Sequence, residues 1–191
     1  LDRAEGISST DGPRTPTEER LASLWEADAD RLTEARDRLV AWGEAGFKAR
    51  SGVDTFYDPI QPGDAEDSVA TMILNAWYGH FLGSVINDER FPGGSFEPTG
   101  DSGRQRLIKR ILLEGRGEDN PADLASWTPD TGESIYFDIS GTELVVTSDE
   151  LMVWNLTRGM DFLASPESSP GVGGFCSDDM DEWRWGFRHW V

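Results

Sequence analysis

The sequence predicts a mainly α-helical chain, and three observations carry that reading. Apolar residues recur at intervals of three and four within 15–46, 69–86 and 151–163. Thr15-Pro16-Thr17-Glu18 and Thr147-Ser148-Asp149-Glu150 have the reciprocal capping pattern that opens a helix. Strand-like runs are confined to Ile135-Tyr136-Phe137 and Leu144-Val145-Val146, so at most a short β-hairpin near 135–146 is expected. The expected organisation is a polar loop over 1–14 followed by a single mainly helical domain over 15–191.

Each element has a local reason. Residues 1–14, with their Ser-Ser-Thr-Asp-Gly-Pro run, read as loop. Thr15 then caps a helix whose first residue, Pro16, lacks an N–H that would have had no partner there. Leu21, Leu24, Trp25, Leu32, Ala35, Leu39 and Trp42 form its apolar stripe. This is one long helix to about Gly43–Gly46, or two with a break near Asp28–Asp30. Asp54 to Gly63, with Pro59, Pro62 and two aromatics, reads as an extended loop packed by its own side chains. Asp64 or a near neighbour caps the next helix, whose strongest face holds Val69, Met72, Ile73, Ala76, Trp77, His80, Phe81, Ser84 and Val85. Residues 90–103 are too rich in Gly and Pro for regular structure. A short helix follows from Asp101 or Ser102 with Leu107, Ile108, Ile111 and Leu112 on its face. Asn120-Pro121 opens another that ends near Trp127. Thr147 caps a last helix to about Ala164, which presents either Leu151, Trp154, Arg158 and Phe162 or Leu151, Val153, Met160 and Leu163. Pro166 and Pro170 stop it, and a Gly-rich loop leads to the acidic run Asp178–Glu182.

Composition narrows the function classes. Thirty-six acidic residues against 17 Lys plus Arg leave a net charge of −19, which repels nucleic acid and anionic lipid. Eight Trp and nine Phe argue against disorder of the whole chain. The single Cys176 excludes an internal disulfide framework and a multi-cysteine zinc site. Val69 to Ile86 contains no charged residue, but Thr71, Asn75, His80 and Ser84 make it a helix buried on most sides, not a membrane span. Leu1-Asp2-Arg3-Ala4 has neither an initiator Met nor an apolar leader, so the chain is expected to begin within a longer protein.

The usual chemical motifs are missing. Two His and one Cys, far apart, do not make a transition-metal pattern. Asp178–Glu182 fails as a calcium loop, because Trp183 falls where the turn needs Gly and no Glu closes the loop. Gly171-Val172-Gly173-Gly174 lacks the spacing of a dinucleotide loop, and no phosphate-binding G-x-x-x-x-G-K-[ST] occurs. His80 lies on an apolar helical face and reads as a core histidine, and no G-x-S-x-G turn presents a serine.

One constellation does stand out. Asp179-Met180-Asp181-Glu182-Trp183-Arg184-Trp185-Gly186-Phe187-Arg188-His189 resembles the W-x-W-G-x-x-H signature of the penicillin acylase (penicillin amidase) family of N-terminal-nucleophile hydrolases, in the later part of the large subunit. The helix from Ser148-Asp149-Glu150-Leu151 to Leu163 is similar to the one that leads into that signature. Leu39-Val40-Ala41-Trp42-Gly43 is partly similar to the family's L-x-x-W-D-G, with Gly43 directly after Trp42. Asn75-Ala76-Trp77-Tyr78 lies in a helix like the one that normally follows. Beside this pattern, 50–64 and 90–103 look like insertions.

The resemblance implies a helical segment of a larger α+β hydrolase. Such an enzyme cleaves N-acyl amides through an acyl-enzyme on the Ser that begins the large subunit, whose own α-amino group is the base. Gly94-Ser95 is followed by Phe96-Glu97-Pro98, unlike the family's S-N-x-W start, and Asn75-Ala76-Trp77 has Leu74 in the nucleophile's place. The expectation is therefore a structural segment with no catalytic residue, no cofactor and no metal ligand. Trp183, Trp185, Gly186 and His189 are expected to be structural: the indoles as apolar anchors at a chain reversal, Gly186 for close backbone approach, His189 bonding across the turn. The implied partners are the nucleophile-bearing remainder of the large subunit and the small subunit, with no nucleic acid and no membrane span. The implied location is periplasmic or extracellular, and candidate substrates are β-lactam side-chain amides, acyl-homoserine lactones and related N-acyl compounds. A different expectation, a freestanding acidic helical interaction module without catalytic activity, stands beside it.

Overall fold

A computed structural model describes residues 1–86, 146–169 and 172–188, together with 103, 105, 106, 109, 127, 128, 133, 134, 136 and 137. The chain is mainly helical: α1 (Asp2–Ser8), α2 (Pro16–Glu26), α3 (Ala29–Glu44), α4 (Asp64–Ile86) and α5 (Ser148–Ala164). Two small antiparallel pairings accompany them. β1 (Trp127–Thr128) pairs with β2 (Glu133–Ser134), and β3 (Glu167–Ser169) with β4 (Val172–Gly173). Contacts group the chain into two compact units: Leu1, Ala27–His80 and Asn155–Val191 in one, Asp2–Glu26 and Phe81–Trp154 in the other.

In the second unit, the expected loop over 1–14 is corrected by α1. The Ser-Ser-Thr run ends a helix instead of replacing one. The Ser9 and Thr10 hydroxyls donate to the Gly6 carbonyl at 3.1 and 2.7 Å, taking up acceptors that a helix end leaves unmatched. Asp2 and Glu5 complement the positive end of the dipole, and Ala4 is buried. The capping box at Thr15 is formed: Glu18 accepts from the Thr15 amide at 2.8 Å, and the Thr15 hydroxyl accepts from the Glu18 amide at 3.2 Å. Pro16 is the first residue of α2, which buries Leu21, Ala22 and Trp25. Thr147 and Glu150 form the second box, with Glu150 accepting from the Thr147 amide and hydroxyl, each at 2.9 Å. This Glu150 is buried and also takes the Arg20 Nε at 2.6 Å, so α2 and the start of α5 share one carboxylate.

The strand expectation shifts. Tyr136 and Phe137 lie in a turn, with Phe137 buried 6.5 Å from the Phe81 ring. Pairing instead involves Glu133, which also bridges to Thr147, and Trp127 belongs to a strand, not a helix end. Of the expected run Leu144-Val145-Val146 only Val146 is described, buried and outside any strand, and of the loop expected over 90–103 only Gly103, which is helical. Of the helix expected from 101 or 102, only Gly103, Gln105, Arg106 and Lys109 are described, and these are helical.

In the first unit, the chain breaks at Ala27–Asp28, so the long stripe is two helices. The Asp28 side chain makes no cap and accepts from Arg31 instead, at 3.1 Å. α3 closes in a Schellman motif: the Phe47 amide donates to the Trp42 carbonyl and the Gly46 amide to the Gly43 carbonyl, each at 3.0 Å. Gly46 takes the required positive φ, and the Phe47 and Trp42 rings meet edge-on at 5.2 Å. Gly63 precedes α4 and its carbonyl takes the Asp67 amide, while Asp64 ties the incoming turn by accepting from the Gln61 amide at 2.9 Å. The Asp54–Gly63 loop is tied by its own side chains, the Thr55 hydroxyl to Asp58 and the Asp54 carboxylate to the Ile60 amide. Phe56 and Tyr57, 93% and 92% exposed, pack only edge-on against each other at 5.0 Å.

Of the two faces open to α5, the structure buries Leu151, Val153, Met160 and Leu163, while Trp154 and Phe162 are 37% and 40% exposed. Gly159 decides part of this. A Cβ there would lie 2.9 Å from the Trp77 amide nitrogen and 3.1 Å from the Ala76 carbonyl carbon, so α4 and α5 touch backbone to backbone. After α5, the region expected as a Gly-rich loop includes the β3–β4 pairing. Among the described residues, no helix is long and apolar enough to cross a membrane.

Substitutions at two positions test this packing. Gly159→Ala gains roughly 1 kcal/mol of helix propensity, but pressing a methyl onto rigid backbone costs about 1–3 kcal/mol. A lower urea midpoint is expected, and a raised one would refute the backbone contact. Glu150→Ala removes the capping-box carboxylate and the acceptor of the Arg20 Nε, which should destabilise the chain by about 1–3 kcal/mol. Thermal unfolding of Glu150→Gln, which keeps one acceptor, should show an intermediate loss.

Candidate functional site

The residues around the signature form a junction in the first unit, built from three stretches of chain. The acidic run supplies the first part. Asp179 caps a 3-10 turn (Met180–Glu182) by accepting from the Asp181 amide at 2.9 Å. That turn buries Met180 and delivers Trp183, whose side chain is fully buried and whose Nε1 donates to the Ser177 carbonyl at 2.8 Å. A large indole is thus sunk into the core with its one polar atom satisfied. Asp181 faces outward and pairs with Arg38 of α3 at 2.9 Å. Glu34 holds the same guanidinium at 2.7 Å.

The next turn (Trp185–Phe187) lies against the 51–53 loop and α4. The Trp185 amide donates to the Ser68 hydroxyl at 2.7 Å, and that hydroxyl donates onward to the Ser51 carbonyl at 2.8 Å. The Gly186 amide donates to the same Ser51 carbonyl at 2.7 Å. Ser68 is fully buried, so these bonds form where an unmatched polar group costs most. Both glycines at this crossing are required by space. A Cβ on Gly186 would stand 2.6 Å from the Ser51 carbonyl oxygen and 2.5 Å from Val53 Cγ2. Gly52 has φ +69, and a Cβ there would run into the Ser68 side chain.

The end of α5 is gathered into the same unit. The Phe175 amide donates to the Leu163 carbonyl at 2.6 Å and the Cys176 amide to Ser165 at 3.0 Å, matching carbonyls that the helix end leaves open. Gly174 sits directly on the Leu163 backbone, and Arg188 donates to the Gly174 carbonyl while its guanidinium lies 4.9 Å over the Phe175 ring. Phe175, Phe187, Arg184, Arg188, Asp181 and Glu182 line a surface pocket of about 450 Å³. Here too the arginines are at work holding backbone: Arg184 donates to the Asp181 carbonyl at 3.2 Å.

These partners decide what the junction does chemically. The Ser68 hydroxyl gives its proton to one carbonyl and takes one from an amide, so it is spent on structure. His80 is twelve residues further along the same helix, a rise of roughly 18 Å, and does not reach it. His80 instead meets the Phe162 ring, centroids 6.0 Å apart. Burial, with a smaller contribution from the nearby Arg158 charge, holds its imidazole pKa below the usual value. His189 lies outside the described residues. The structure therefore joins Trp185 and Gly186 to Ser51, Gly52 and Ser68, and Trp183 to Ser177, and does not join them to His80. Ser51, Gly52 and Ser68 had no sequence signal beyond a small residue at a tight turn and a polar one in an apolar helix.

A second concavity, of about 780 Å³, runs between α3 and the start of α4. Asp30, Glu34, Asp37, Glu66 and Asp67 line it together with Trp42. Despite these carboxylates, no group of three or more His, Cys, Asp or Glu among the described residues is arranged to hold a metal ion. Compared with protein-family models, curated proteins and solved structures, the chain finds no match.

The junction predicts that Gly186→Ala, which forces a methyl against the Ser51 carbonyl, destabilises the chain by about 1–3 kcal/mol. Urea unfolding checks it, and an unchanged midpoint would mean the contact is absent. The depressed His80 pKa sets a pH dependence. Its neutral form contributes fully above the ordinary imidazole value of 6.5, and that contribution is lost as the pH falls from there to the lower folded value. The difference in stability between the wild type and His80→Gln should therefore shift over that window. A difference that is flat with pH would contradict the burial of the imidazole.

Proposed function

We propose that the chain is a structural helical segment of a penicillin acylase-like amide hydrolase, with the nucleophile supplied by polypeptide outside these residues. The observation that carries this reading is the engagement of the signature in the fold: the Trp183 indole bonds Ser177, and the Trp185 and Gly186 amides bond Ser68 and Ser51. A W-x-W-G element held in this way fixes chain path. In the proposed parent, the hydroxyl of a processed N-terminal Ser attacks the acyl carbonyl while its own α-amino group takes the proton. The amine then leaves with a proton, and water releases the acid from the acyl-enzyme. The segment's contribution is a rigid helical layer, and its partners are the remainder of the large subunit and the small subunit. A periplasmic or extracellular setting belongs to the same proposal.

Two measurements test it. The purified 191-residue chain should hydrolyse no chromogenic N-acyl amide; turnover abolished by a substitution within 1–191 would overturn the structural role. Extending the reading frame should reveal a Gly-Ser processing junction upstream, beginning S-N-x-W and preceded by a signal peptide. A start codon just before Leu1 and a stop just after Val191 would instead leave a freestanding module.

A further inference from the structure

We draw no further inference here: the strongest candidate, the acid-lined groove between α3 and the start of α4, rests on a cluster of carboxylates beside a helix N-terminus, and nothing else in the structure points to what would occupy it.

Discussion

One buried hydroxyl organises the signature region. Ser68, on the first turns of α4, accepts from the Trp185 amide and donates to the Ser51 carbonyl, which also receives the Gly186 amide. Three pieces of chain are held through two oxygen atoms. Each bond is worth only about 0.5–1.5 kcal/mol net, but they are linked: losing the hydroxyl removes the acceptor of the Trp185 amide and one of the two donors to the Ser51 carbonyl. The glycines at 52 and 186 follow from this. Backbones must approach to hydrogen-bonding distance on both sides of Ser68, and a Cβ at either position would occupy that space.

Electrostatics is arranged around the same economy. With 36 carboxylates and 17 basic side chains, acids outnumber cations, and several arginines are each shared between two acids. Arg31 bridges Asp28 and Asp161, joining the start of α3 to α5. Arg38 bridges Glu34 and Asp181, joining α3 to the turn before Trp183. Arg20 meets the buried Glu150 in the other unit. The exposed Asp161, Glu34 and Asp181 limit their pairs to roughly 0.2–1 kcal/mol each. They set register more than they stabilise; the apolar anchors Leu32, Ile73, Met160, Leu163 and Trp183 supply the burial. Burial also raises the pKa of Asp28, against the opposing pull of Arg31.

What the sequence made legible was local. Both capping boxes form within four residues, so their letters suffice, and Pro16 marks the first residue of α2. The end of α5 was equally plain, because Pro166 cannot continue a helix. Face selection in α5 was not legible, since either set of apolar residues satisfies the helical period; the backbone contact at Gly159 is a tertiary fact. The helix at Asp2–Ser8 was hidden because its capping hydroxyls have the composition of a loop. In the signature, the tryptophans and Gly186 were conspicuous, but Ser51 and Ser68 were not. A serine's partner 117 residues away leaves no mark in spacing.

The Trp185 and Gly186 amides are locked by Ser68 and Ser51, which makes the turn after Trp183 a fixed piece of architecture. Residue-resolved amide hydrogen exchange under native conditions tests it most directly. Both amides should exchange far more slowly than in an unstructured peptide, and Ser68→Ala should speed Trp185 most, with Gly186 following as the loop at Ser51 loosens. Exchange of both amides at free-peptide rates in the wild-type chain, or rates indifferent to Ser68→Ala, would contradict it.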